Sequence, residues 1–150
     1  MEALFDRATS FNGDLSMWDV SSVTTMQRTF NQATSFEGNI SNWDVSNVTN
    51  MVFMFDGCSA FNQSLGDWNV SNVTNMARMF TGCSSFNKPI NNWNVSNVDN
   101  MDWMFANATI FNQDISGWDV SNVTNMGDMF KGAAAFNQNI GNWNFQASKI

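Results

Sequence analysis

The chain has 150 residues, a net charge of −7 and an isoelectric point near 4.1. That sign opposes a phosphate backbone or an anionic membrane surface, so nucleic acid is excluded as the expected partner and membrane docking is disfavoured. Histidine is absent, removing the commonest general base and zinc ligand, whereas 14 Phe, 7 Trp and 11 Met supply ample core material.

The first ten residues, "MEALFDRATS", match "MQRTFNQATS" at 26–35, so the chain opens in mid-unit. Complete units then follow at 11–35, 36–60, 61–85, 86–110 and 111–135, led by Phe11, Phe36, Phe61, Phe86 and Phe111, and a partial unit fills 136–150. A strict period of 25 residues without insertions is the mark of stacked repeats, here one domain over residues 1–150.

Within each unit the first pattern is I-x-x-W-x-V, as in Ile40, Trp43 and Val45. Side chains two apart share one face of an extended segment, which predicts a very short strand with Asp44 outward. Ser46-Asn47 and their copies carry turn chemistry. The second pattern places Met51, Met54, Phe55 and Cys58 at i, i+3, i+4 and i+7, which predicts a helix of about two turns. Asn50 stands where an N-cap is wanted, and Gly57, Gly82 and Gly132 where a left-handed residue ends the helix. The fold class expected is an α/β repeat solenoid of about six 25-residue rungs, with short parallel strands on one face and short helices on the other. The closing "NFQASKI" departs from "DVSNVTN", with Phe145 and Lys149, and reads as a modest cap or a natural terminus.

Carried by "FNQDISGWDVSNVTNMGDMF" and "MFTGCSSFN", the unit resembles the 25-residue repeat of the BspA-like leucine-rich-repeat surface proteins of mycoplasmas and other microbes. The resemblance covers essentially the whole chain. It implies a leucine-rich-repeat-like, right-handed solenoid, with I-x-x-W-x-V standing for L-x-x-L-x-L. It also implies display on the cell surface or outside the cell, adhesion, and binding of a protein or other surface ligand.

Several columns are candidates for more than packing. Trp18, Trp43, Trp68, Trp93, Trp118 and Trp143 alternate in phase with Val and read as a core ladder, the rival reading being an aromatic platform. Asn47, Asn72, Asn97 and Asn122, with Asn50, Asn75, Asn100 and Asn125, read as hydrogen-bond ladders satisfying turn backbone. Cys58 and Cys83 share a phase with Ala33 and Ala108, which favours buried thiols; a disulfide between stacked units is the other reading. Asp14, Asp114 and the aspartates after Trp could face calcium, but no unit carries the dense acidic loop that calcium needs.

Trp103 and Phe53 precede Met104 and Met54, off the apolar stripe, and are the candidate contact residues. No nucleophile is paired with a base, so no enzyme activity and no cofactor are expected. A binding or adhesion module is the expected function. The alternative is a structural protein that self-associates through its ends: the chain starts at position 16 of the unit and stops at position 15, so the ends are complementary in phase. A fragment of a longer array explains the same phase. No long apolar run predicts membrane insertion, and no secretion signal opens the chain.

Overall fold

The computed structural model describes residues 1–144; Phe145 and Lys149, read above as part of a cap, lie outside the described residues. Successive 25-residue units stack as rungs, and hydrogen bonds join residues about one period apart along the whole stack. The α/β solenoid expected from the sequence is not what forms. Among the described residues there is no helix, and regular strand pairing is limited to four isolated parallel bridges linking Thr25, Asn50, Asn75, Asn100 and Asn125. The leucine-rich-repeat-like arrangement of strands opposite helices is therefore corrected.

The reason lies in the segment 51–58 and its copies. Phe53 has φ +56° and Gly57 φ +74°, both in the left-handed region, so the right-handed helix is broken twice in eight residues. Arg28, Arg78, Trp103 and Asp128 repeat the first kink, and Gln32, Gly82, Asn107 and Gly132 the second. What forms instead is a ribbon of tight turns. In residues 26–33 the N–H groups of Thr29, Asn31 and Ala33 donate to carbonyls three residues back in their own rung. Those of Met26, Arg28, Phe30 and Gln32 donate to Asn50, Val52, Met54 and Asp56 of the next. A left-handed third residue is the requirement of a type II turn.

The remaining N–H of the ribbon explains the asparagine before it. Val52 N–H donates to Asn50 Oδ1 at 3.0 Å, and Ala77, Asp102 and Gly127 repeat the bond with Asn75, Asn100 and Asn125. Asn50 thus holds a turn rather than capping a helix. The strand reading of I-x-x-W-x-V fails similarly, because Trp43 N–H turns back to the Ile40 carbonyl at 3.1 Å.

The core runs unbroken through the stack. Two phenylalanine ladders rise side by side, Phe5 to Phe130 and Phe11 to Phe136. Rungs contribute one ring to each, 4.1 Å apart for Phe30 and Phe36, and rings in successive rungs stack 5.4–6.1 Å apart. Offset stacking suits the aromatic quadrupole. Met, Val, Leu and Ile columns fill the remaining interior.

A candidate interaction face

Each aromatic or polar column has a distinct job. Trp43, Trp68, Trp93, Trp118 and Trp143 are buried, and each indole Nε1–H donates to the carbonyl of residue 15, 40, 65, 90 or 115 in the rung below, at 2.8–3.2 Å. Trp18 occupies the same phase in the lowest rung and is 43% exposed. Asn47, Asn72, Asn97 and Asn122 donate Nδ2–H to Ser21, Ser46, Ser71 and Ser96 carbonyls at 2.7–2.8 Å, so this ladder runs from side chain to backbone. A further column escaped the sequence reading: Asn12, Asn62, Asn87 and Asn112 accept the N–H of residues 37, 87, 112 and 137. Its signal is the "FN" that opens the units at 11, 61, 86, 111 and 136.

Cys58 and Cys83 are unbonded and buried, and each Sγ–H donates to a carbonyl, of Phe30 at 2.9 Å and Phe55 at 3.0 Å. Burial pushes the Cys58 thiol up to about 12 and the Cys83 thiol well above its ordinary value. Such thiols are neither nucleophiles nor metal ligands near neutral pH. The aspartates weighed for calcium serve Asx turns: Asp14, Asp19, Asp44, Asp114 and Asp119 each accept the N–H of the serine two residues on. Among the described residues no three acidic or cysteine side chains converge as metal ligands.

Phe53 and Trp103 stand on the outer surface of the turn ribbon, partly exposed, at the first left-handed position of their rungs. The rung between them places Arg78 at that same position, φ +57°. Its guanidinium carbon lies 5.4 Å from the Phe53 ring centre and 4.9 Å from that of Trp103. Lys131 Nζ sits 4.8 Å from the Trp103 ring centre. Phe53, Arg78, Trp103 and Lys131 therefore form a row of alternating rings and cations. Arg78 is absent from the sequence-derived candidates because in its column, 28, 53, 78, 103 and 128, it looks like an ordinary polar residue; its signal is its place between Phe53 and Trp103.

The turn ribbons also hold most of the protein's cations. Arg7, Arg28, Arg78 and Lys131 lie on the turn ribbons, leaving Lys88 as the one cation elsewhere among the described residues. A left-handed conformation costs a side chain bearing Cβ about 1–2 kcal/mol, and Phe, Arg and Trp adopt it here in succession. Ala3, Arg28 and Asp128 hold the same conformation in the other rungs, so the strain belongs to the turn and the row is distinguished by its side chains.

Fold and face together define a repeat protein of stacked 25-residue turns that carries one aromatic–cationic row on its surface. The chain belongs to the family described as "Mycoplasma protein of unknown function, DUF285", which matches residues 1–89 and again residues 62–150. No curated protein and no solved structure matches it.

Proposed function

We propose that the chain is a non-enzymatic binding module of a surface or extracellular protein, serving adhesion or protein recognition through the turn-ribbon face. The observation that carries this reading is the Phe53–Arg78–Trp103–Lys131 row. Aromatic and arginine side chains are what protein interfaces concentrate, and here they are held in one partly exposed line. Kinship with the BspA-like surface proteins, supported by the "WDVSNVTNM" and "MF-x-G-C" elements, fits the same role and suggests display at a cell surface; the fold class associated with those proteins is not carried over.

The test is binding of the labelled chain to an array of purified extracellular proteins, compared with a Phe53→Ala/Trp103→Ala variant. At least a tenfold loss of binding is expected, with each substitution costing about 0.5–1 kcal/mol of stability from the lost cation–π contact. Equal binding by both proteins, or no binding by either, overturns the reading.

A second reading, end-to-end assembly of copies, is supported by the two ends of the stack. At one end the carbonyls of Glu2, Leu4 and Asp6, and at the other the N–H groups of Asp128, Phe130 and Gly132, have no partner among the described residues. They stand at the phases that pair between every other two rungs. A mostly apolar depression of about 490 Å³ beside the second set is lined by Met126, Met129, Phe130, Ile140 and Trp143, with Asp128 and Lys131 also contributing. The first rung of a second copy would bring Leu4, Phe5 and Trp18 to it in register. Light scattering and electron microscopy across a hundredfold concentration range test this; a monomer throughout sinks it.

A further inference from the structure

We infer that Arg78, clamped between Phe53 and Trp103, is a receptor for a single carboxylate, the aspartate or glutamate side chain of an otherwise uncharged peptide segment. This rests on the reading of the turn-ribbon face as a binding surface and names what that surface takes.

The argument starts from the two arginines at the same repeat position. Arg28 is closed: its Nη2 donates to Asp6 Oδ2 at 3.2 Å. Arg78 is open. The two ion pairs among the described residues are Arg28–Asp6 and Lys131–Asp128, and Arg78 takes part in neither. Asp56 feels the Arg78 charge, but its Oδ1 accepts the Gln32 Nε2–H at 3.0 Å, and burial shifts its pKa upward.

Stacking explains why an unpaired guanidinium is useful here. Rings from the rungs below and above occupy the two flanks of the Arg78 group, at 5.4 and 4.9 Å, which restricts its rotamers. The guanidinium N–H groups make no hydrogen bond or ion pair among the described residues, and a guanidinium edge matches a carboxylate with two parallel hydrogen bonds. Ordering a long side chain is normally a cost of binding; the rings have already met it.

Charge selects the kind of anion. The protein carries −7 overall, and Asp102 and Asp128 flank the row in sequence, so a sulfated glycan or another polyanion is repelled by the surroundings. A lone carboxylate collects the bidentate pair while adding little repulsion. The exposed parts of Phe53 and Trp103 offer apolar contact to side chains on either side of it.

The experiment is titration of the whole chain with a capped peptide carrying one glutamate between leucines, and with its glutamine counterpart. Binding is followed by NMR at the Arg78 Nε–Hε and Trp103 indole resonances. The glutamate peptide is expected to shift both, and the glutamine peptide to bind about tenfold or more weakly, as loss of a charged acceptor requires. Arg78→Lys keeps the charge but not the fork and should lose about fivefold or more, whereas Arg28→Lys should bind as the parent does. Equal affinity for the two peptides, equal loss from the two lysine variants, or stronger displacement by inorganic phosphate than by acetate each overturns the inference. Array binding that depends on Phe53 and Trp103 but is indifferent to the glutamate-to-glutamine change would remove the carboxylate receptor and leave the binding face standing.

Discussion

Trp93→Phe and Trp18→Phe make the same chemical change at the same repeat position, yet should differ severalfold in cost. Trp93 is 3% exposed and its indole N–H meets the Leu65 carbonyl at 2.8 Å. Phenylalanine removes the donor, but the Leu65 carbonyl keeps the Trp68 backbone N–H at 3.1 Å, so the loss is that of one hydrogen bond, about 0.5–1.5 kcal/mol. The smaller ring also leaves a void comparable to one or two deleted methyl groups, about 1 kcal/mol more. The sum, about 1.5–2.5 kcal/mol, should lower Tm by about 3–10 °C in a chain of this size. Trp18 is 43% exposed and its indole has no acceptor among the described residues, so its replacement should stay within about 0.5 kcal/mol. Scanning calorimetry and urea unfolding of the two variants beside the parent give both numbers. Costs that agree within error would refute the assignment of the indole bonds as the staples between rungs.

The buried thiols give a second prediction: Ellman's reagent at pH 8 should leave Cys58 and Cys83 unmodified in the folded chain and label both in urea; rapid native labelling would contradict their burial. Because burial raises both pKa values, the folded chain holds these protons more tightly. Their stabilising effect is complete below the ordinary value near 9 and fades as pH climbs toward about 12, which alkaline unfolding curves of a Cys58→Ala/Cys83→Ala variant should flatten. Asp19, Asp44 and Asp119 behave oppositely. Hydrogen bonds from the serine two residues on, hydroxyl and amide, hold their pKa below 3.8, so their contribution is present above that pH and lost as pH falls through the lowered values. Asp44→Asn should keep its turn, as Asn69 does with Ser71, and make acid unfolding less steep; an unchanged acid limb would count against the carboxylates. Gly82→Ala, at φ +69° with only ordinary contacts for the new Cβ, should cost about 1 kcal/mol of left-handed strain. Gly57→Ala should cost about 2–3 kcal/mol, because its Cβ would fall 2.6 Å from Gln32 Cδ and displace the Gln32–Asp56 bond. Gln32→Gly should recover part of that loss in a double-mutant cycle, and strict additivity would refute the clash.

The period, and with it the phase of Phe30, Phe36, Trp43 and Val45, can be read from the sequence because every rung repeats the same neighbours. Secondary structure could not be read the same way. Met51, Met54, Phe55 and Cys58 fit one face of a helix, but two successive turns bring the same four side chains inward, and apolar spacing does not separate the two. The deciding residues carry no warning. Glycine marks the left-handed position at 57, 82 and 132, yet at 28, 53, 78, 103 and 128 the same backbone conformation is held by Arg, Phe, Arg, Trp and Asp. Bonds to the next rung stabilise it, and an individual unit does not contain them. Phe53 and Trp103 stood out as departures from the pattern, whereas Arg78 between them looks like an ordinary polar surface residue until the rungs are stacked.

The alternation of N–H groups along the turn ribbon has a further consequence. In each ribbon every second amide points to the following rung, and none of the ribbon amides points to the preceding one. The peptide dipoles of these bonds therefore add along the stack instead of cancelling as they do in a sheet of alternating strands. The ribbon edge behaves like an electret with its positive pole at Asp128, Phe130 and Gly132 and its negative pole at Glu2, Leu4 and Asp6. Asp128 sits at the positive pole, where the field of the backbone favours a carboxylate, whereas Glu2 and Asp6 place like charge at the negative one.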